Sequence, residues 1–265
     1  DAIHLIMDDH AFGEAGETIL IEEFMEGQEV SVLALVDGRT IWVLDLCQDH
    51  KQVGEDDVGA NTGGMGAYSP APLLDNEAME FVEREILVPA VDGMRRDGIE
   101  FRGVLYAGIM LTPAGPKVLE FNCRFGDPET QPLMVRLQGD LVDILWRTAS
   151  GELADAEISF DERVACCVVM CSEGYPSAYE KGKVITGIEN AESENLFVFH
   201  AGTNLSENTL TTSGGRVLGV TGLADELEIS KNLANAACEQ ISFDGAFWRR
   251  DIGCRVLNKK PVNAK

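Results

Sequence analysis

The chain is poor in positive charge. Lysine and arginine together number 21, against 45 aspartates and glutamates in 265 residues, so the formal net charge is −24. Such a field repels nucleic acid and anionic membranes and excludes a function built on a broad basic face; a local basic pocket for phosphate stays open. No run approaches the ~18 apolar residues that a membrane span needs. The first ten residues hold three aspartates and no lysine or arginine, so no secretory leader is read there. Cysteine is sparse and unpatterned. The seven (Cys47, Cys123, Cys166, Cys167, Cys171, Cys238, Cys254) are an odd number in no disulfide-framework spacing, which points to a reducing, cytoplasmic setting. Cys167 and Cys171 lie four apart in an apolar run with no histidine nearby, and read as small buried hydrophobes rather than metal ligands. No internal repeat or low-complexity tract is visible.

What is present is ordinary globular material: 45% hydrophobic and 25% charged residues, in a chain long enough to bury a core without staples. Ile3, Ile6, Met7 and His10 have helical spacing with no start signal before them. Thr18 to Phe24 reads as a short strand. Glu29–Gly38 and Arg39–Gln48 read as two strands around an Asp37-Gly38 turn. Residues 49–75 form a long loop rich in glycine and proline. Asn76 is placed to cap a helix reaching about Arg96, with Phe81, Val82, Ile86 and Val91 on its buried face. Gly103–Leu111 and Lys117–Asn122 are strands. A polar loop follows, then a helix over Asp140–Ser150. Past Asp155 come the apolar strand Val164–Cys171, several short strands with glycine turns, and one helix near Asp225–Gln240. The expected organisation is α+β, with a first unit over 1–155 and a smaller, mostly β unit over 156–265.

Three polar constellations stand out. In the first, Glu120, Asn122 and Arg124 alternate at the end of an apolar strand, and a period of two puts them on one face. A carboxylate and an amide oxygen suit a hard divalent cation, and a guanidinium suits a phosphate or carboxylate. Asp127 and Glu129 add carboxylates on the adjoining Gly126-Asp127-Pro128 turn. The second is the loop Gln48–Pro70, with Lys51, Asn61, Thr62, Gly63, Gly64, Met65, Gly66, Tyr68 and Ser69. Its glycines suit either an anion-binding nest or plain turns, and it is no Walker A loop, lacking Gly-Lys-Ser/Thr at the required spacing. The third, Ile21 to Ser31, crowds Glu22, Glu23, Glu26 and Glu29 at a strand junction. It reads as an acidic surface or as a hinge along a nucleotide edge.

The stretches IEEFMEGQEVS, QDHK…NTGGMGAYSP and LEFNCRFGDPETQP, in this order, resemble the phosphoribosylamine–glycine ligase family of the ATP-grasp superfamily. The likeness runs from about Ile19 to about Arg255, and includes FHAGT, TSGGRVLGVTG and RRDIG. It implies the later part of an ATP-grasp domain, an antiparallel sheet with helices, followed by a small mostly-β domain with one helix. It also implies a purine-biosynthetic ligase that uses ATP with Mg²⁺ or Mn²⁺ to join glycine to 5-phosphoribosylamine through glycyl phosphate. By position, Glu120 and Asn122 match the metal ligands, and Arg124 faces the transferred phosphoryl group. Glu22, Glu23 and Phe24 match the adenine hinge, and Glu29 the ribose carboxylate. Lys51, Asn61, the Thr62–Ser69 loop, Asp127 and Glu129 match stretches around the amine and glycine. Gly108 stands where related enzymes carry a further metal carboxylate. The family's front half does not precede Asp1, so the likeness implies a carboxy-terminal part, inactive without its amino-terminal partner segment. Another ATP-grasp carboxylate–amine ligase would share the hinge and Glu-x-Asn-x-Arg but lack GDPETQ and NTGGMGAYS. A pure interaction module would need a broken metal pair, and Glu120 and Asn122 are intact.

Overall fold

The computed structural model describes residues 2–258. In chain order its elements are β1 (Gln28–Val36), β2 (Ile41–Val43), β3 (Gln48–Asp49), β4 (Gln52–Gly54), β5 (Val58–Asn61), β6 (Gly66–Ser69), α1 (Asn76–Val82), α2 (Val88–Arg96), β7 (Gly103–Thr112), β8 (Gly115–Asn122), α3 (Thr130–Arg136), β9 (Leu137–Gln138), α4 (Leu141–Ser150), β10 (Ser159–Phe160), β11 (Val164–Ser172), α5 (Ile188–Ala191), β12 (Leu196–His200), β13 (Thr203–Ser206), β14 (Thr209–Thr212), β15 (Arg216–Ala224), α6 (Leu227–Cys238), β16 (Ala246–Phe247) and α7 (Cys254–Leu257). The named strand pairs are antiparallel throughout. Among the described residues no helix is long and apolar enough to cross a membrane.

A four-stranded sheet, ordered β2-β1-β7-β8, carries the first half of the chain. Strand alternation divides its side chains between two cores. Val30, Val32, Ala34, Leu105, Ala107 and Ile109 face the helix pair α1–α2 and bury Val82, Ile86, Leu87 and Val91. Leu33, Leu35, Val104 and Tyr106 face the opposite way, against Leu133 of α3 and Ile144 of α4. The helix pair differs from its sequence reading in two details. Its cap is Asp75, whose carboxylate accepts from the Ala78 amide at 2.9 Å, and Phe81 is exposed where Leu87 is buried. A π turn over Glu83–Leu87 joins α1 to α2. It lies just before Pro89, whose ring and missing N–H would disrupt a regular helix there.

The second sheet has six strands. The path β12-β15-β11-β6-β3 is joined by β16 at β11. β11, the near-continuous apolar run, is buried along almost its whole length, as a central strand should be. Helix α6 packs so closely on β15 that a Cβ at Gly222 would lie 2.5 Å or less from the Ser230 carbonyl oxygen. Two strands of this sheet, β3 and β6, precede residue 155. The change of texture near Asp155 therefore does not separate the two sheets.

Three further expectations are corrected. Thr18–Phe24 forms no strand; Leu20, Ile21 and Phe24 are exposed, and no strand among the described residues pairs with the segment. The run after the Asp37-Gly38 turn is broken: it is strand over Ile41–Val43, returns to β1 as a single bridge between Cys47 and Ser31, and from Gln48 passes into the second sheet. The loop expected after Asn122 contains helix α3. Pro132 sits in its first turn, where an amide N–H has no intrahelical partner in any case.

Candidate active site

The polar end of the first sheet is the natural starting point. The registers Glu29↔Met110, Ser31↔Gly108, Gly108↔Glu120 and Tyr106↔Asn122 put Glu29, Ser31, Glu120 and Asn122 on one face. Farther along β1 and β7 the same face carries Leu33, Leu35, Val104 and Tyr106 under α3 and α4. The face thus turns from core to open cleft within one or two residue pairs. β1 and β8 are two strand spacings apart, about 10 Å.

β8 is an edge strand; Glu120 is exposed on it, and Arg124 is exposed two residues past its end. The Asn122 amide donates to Glu120 Oε1 at 3.1 Å, which ties the two side chains together. This pair offers hard oxygen donors to a divalent cation, with water or phosphate completing the shell. Gly108 lies directly opposite Glu120 and contributes no side-chain ligand. Among the described residues no group of three or more His, Cys, Asp or Glu side chains is arranged to hold a metal. Among the described residues Arg124 donates only to the neighbouring Phe125 carbonyl, at 2.9 Å.

Beside this face lies a cleft of about 280 Å³ that brings together Glu29, Lys51 and Asn61. Asp49, Gln52, Asp57, Met110 and Arg255 share its lining, and sequence reasoning did not single them out. Lys51 pairs with Glu29. Burial alone would lower the Lys51 pKa, but the Glu29 carboxylate outweighs it and holds the ammonium charged. Asp49 is buried, and its Oδ1 has no hydrogen-bond partner among the described residues. Burial first, then the nearby Glu129 charge, pushes its carboxyl well above the usual carboxylate range.

The glycine-rich loop and the Gly126–Glu129 turn meet beneath Arg216, the first residue of β15. Its guanidinium donates to the carbonyls of Gly63 at 2.8 Å and Asp127 at 2.7 Å, and to Asp127 Oδ2 at 3.0 Å. Tyr175 OH accepts from the Gly63 amide at 3.0 Å. Gly64 has φ +115°, and a Cβ there would clash with Pro128 and Asp49. No local signal in Ser213-Gly214-Gly215-Arg216 marks this clasp, because its partners lie about 90 and 150 residues away in sequence.

Several residues expected around substrate or nucleotide are buried or stand outside this cleft. Met65, Tyr68 and Ser69 are buried as part of, or next to, strand β6. Tyr68 OH donates to Gln48 Oε1 at 2.8 Å, and Ser69 Oγ accepts from Arg136 at 2.9 Å. Gly66 serves close packing, since a Cβ there would meet the Cys167 carbonyl oxygen at 2.5 Å. Glu129 is buried too, and accepts from Tyr106 OH at 2.6 Å and Ser31 Oγ at 2.9 Å. It fixes the turn from below, while Asp127 is exposed on top. Glu22, Glu23 and Phe24 lie exposed, outside any helix or strand. Glu23 accepts from Lys117 of β8 at 2.9 Å, and Phe24 is 87% exposed. They are not gathered into the cleft.

Two family profiles match the chain: "Phosphoribosylglycinamide synthetase, ATP-grasp (A) domain" over residues 1–130, and "Phosphoribosylglycinamide synthetase, C domain" over 165–255. A phosphoribosylamine–glycine ligase of Rhodopirellula baltica is 53% identical over 259 residues, covering 97% of this chain and 59% of that protein. A chloroplastic phosphoribosylamine–glycine ligase of Arabidopsis thaliana is 47% identical, covering 100% and 51%. The chain spans about three-fifths of the length of the bacterial relatives it matches. Among solved structures, the phosphoribosylamine–glycine ligase of Thermotoga maritima superposes with a TM-score of 0.79 at 34% identity, over 87% of this chain and 57% of that one. A biotin carboxylase domain of a thermophilic 2-oxoglutarate carboxylase shares the fold, with a TM-score of 0.63 at 15% identity over 92% and 54%.

Proposed function

Because the chain belongs to the phosphoribosylglycinamide synthetase family, we propose that it carries the metal-binding, substrate-side and C-domain portions of an ATP-dependent ligase. The reaction joins glycine to 5-phosphoribosylamine and yields glycinamide ribonucleotide, ADP and phosphate, in purine biosynthesis. The observation that carries the reading is the shared face: Glu29 on β1 and Glu120 with Asn122 on β8 stand on one side of the sheet, about two strand spacings apart.

In this reading Glu29 accepts from the ribose hydroxyls of ATP, and Glu22 to Phe24 form the adenine edge. Glu120 and Asn122 hold Mg²⁺ or Mn²⁺, which when bound supplies charge neutralisation at the phosphate oxygens. Arg124, held only by a neighbouring carbonyl, turns its guanidinium toward the phosphoryl group passing to the glycine carboxylate. Expulsion of phosphate by the attacking amine completes the bond, and Arg124 stabilises the departing charge as well. Lys51, Asn61 and Asp127 line the side where glycine and the amine meet, and the glycines at 63 and 64 let backbone approach them. Glu129, Ser31 and Tyr106 keep this floor in register from beneath. The net charge of −24 makes the local cations Lys51, Arg124 and Arg216 the groups that offset the negative field at the opening. The cysteines, without disulfides among the described residues, suit a reducing compartment such as the cytoplasm.

The test is product analysis. The chain, joined to the stretch of the R. baltica ligase that it does not match, is supplied with ATP, Mg²⁺, glycine and 5-phosphoribosylamine. Glycinamide ribonucleotide should form with ADP and phosphate in equal amounts, and only when both glycine and the amine are present. ADP release with another carboxylate or another amine, and none with this pair, would assign a different ATP-grasp ligase.

A further inference from the structure

The largest fully buried side chain among the described residues is a charged one, Arg249, at 1% exposure. Burying an arginine is costly unless its charge and its donors are all matched. Here they are. Its Nε and Nη2 donate to the two Asp251 oxygens at 2.8 and 2.7 Å, and its Nη1 to the Gln52 carbonyl and Asp57 Oδ1, both at 3.0 Å. Arg255 closes the network, donating to Asp57 Oδ2 at 2.7 Å and to the Asp49 carbonyl at 3.2 Å.

These contacts converge on one small element, the β4–β5 hairpin. Its tip runs through Glu55–Asp57, and Asp56 and Asp57 are both left-handed, with φ of 56° and 55°. Non-glycine residues adopt that conformation rarely, and two in succession persist only where the surroundings impose it. The surroundings are the segment Arg249–Arg255. Asp251 accepts from the Asp56 amide at 2.9 Å, and Glu55 accepts from the Arg250 amide at 3.1 Å. At its base the hairpin is flanked by Lys51 and ends on Asn61, two of the cleft-lining residues. Burial would raise the Asp57 carboxyl, but hydrogen bonds from Arg255 and Arg249 outweigh it and hold the group below the usual carboxylate range.

We propose that Arg249, acting through Asp57 and Arg255, is a positioning residue: it latches the β4–β5 hairpin so that Lys51 and Asn61 stand in the cleft wall. The latch reaches the cleft from a segment near the other end of the chain. It touches neither Glu120, Asn122 nor Arg124, so it sets how substrate is held rather than how the metal is held. Only the kinetic arm of its test rests on the ligase reading above.

The decisive variant is Asp57→Asn. Asparagine tolerates the left-handed backbone as aspartate does, so the change removes charge and leaves the turn's conformational preference in place. Arg250→Ala, at an exposed neighbour paired with Glu239, is the control. In hydrogen exchange on the 265-residue chain, amides of residues 52–61 should exchange at least about tenfold faster in Asp57→Asn, the scale of one lost charge-assisted hydrogen bond. Amides of β7 and β8 should be unchanged, and Arg250→Ala should match the parent at both places. In the completed ligase, Asp57→Asn should raise the KM for glycine or 5-phosphoribosylamine by a similar factor and leave kcat and the Mg²⁺ dependence within about twofold. Unchanged exchange at 52–61 overturns the latch. So does a parallel loss of kcat and of protection throughout the chain, which marks a general folding defect. If exchange changes as expected but the parent makes no glycinamide ribonucleotide, the ligase reading fails and the latch stands.

Discussion

The edge of the first sheet and the loop clasped by the C-terminal segment treat charge in opposite ways. At the edge, Glu120 and Arg124 are exposed, and their contacts are to a neighbour two residues on and to the adjoining carbonyl. At the loop, Arg249, Asp57, Asp251 and Arg255 form a closed network around a buried guanidinium. The difference separates two jobs. In the proposed reading, groups that receive a metal or phosphate keep spare valence and solvent access, and so add little to stability. Groups that hold a shape are matched atom for atom, and each then becomes expensive to remove.

That contrast is most sharply broken by truncating the centre of the network. Arg249→Ala removes the buried guanidinium that two partly buried carboxylates share and should cost about 3–5 kcal/mol of folding free energy. Denaturant melts should show it as a large fall in midpoint, and a fall under 1 kcal/mol would mean the network adds nothing. The edge should behave the other way round. In the completed ligase, Glu120→Ala and Asn122→Ala should each lower kcat by about 10²–10³, while melts stay within about 0.5 kcal/mol of the parent. Near-normal turnover under saturating Mg²⁺ would remove the pair from the metal site.

Acid provides an intermediate effect. Burial would raise the Asp251 carboxyl, but the Arg249 hydrogen bonds outweigh it and bring the pKa to about 2. A folded pKa below the unfolded value gives stability that is present above the unfolded pKa and lost as pH falls through the folded one. Stability should therefore decline between about pH 4 and pH 2, and Asp251→Asn should flatten that part of the profile. An unchanged slope would place the acid sensitivity elsewhere. The smallest effect belongs to the exposed pair Arg250–Glu239, 2.6 Å apart. Arg250→Ala should shift stability by no more than about 1 kcal/mol, less still in high salt, as thermal melts at two ionic strengths would show.

Much of the architecture was legible because its signals are local. The Asp37-Gly38 turn beside β1, the helical spacing over Val82–Val91 and the apolar runs of β7 and β11 each report their own local structure. The Glu120–Asn122 pair was legible for the same reason, since alternation along a single strand fixes its face. The Gly63–Ser69 stretch was read less well. Its glycines signal backbone freedom, but not whether the freed backbone meets a ligand or a neighbouring strand. At Gly64 it meets Pro128 and Asp49, and at Gly66 it meets Cys167. Helix α3 was hidden because Gly-Asp-Pro-Glu carries turn signals right up to its start.

The sequence alone determined the family, the antiparallel α+β character and the residues able to present oxygen donors to a metal, because those follow from side-chain type and near-neighbour spacing. Only the tertiary structure decided which polar residues are tools and which are scaffold. It buried Glu129, Tyr68 and Ser69 and left Asp127 exposed under Arg216. It also brought Arg249 and Arg255 onto a hairpin some 190 to 200 residues earlier in the chain. A charge's role depends on its desolvation and its partners, and both are set by chain segments that no local pattern connects.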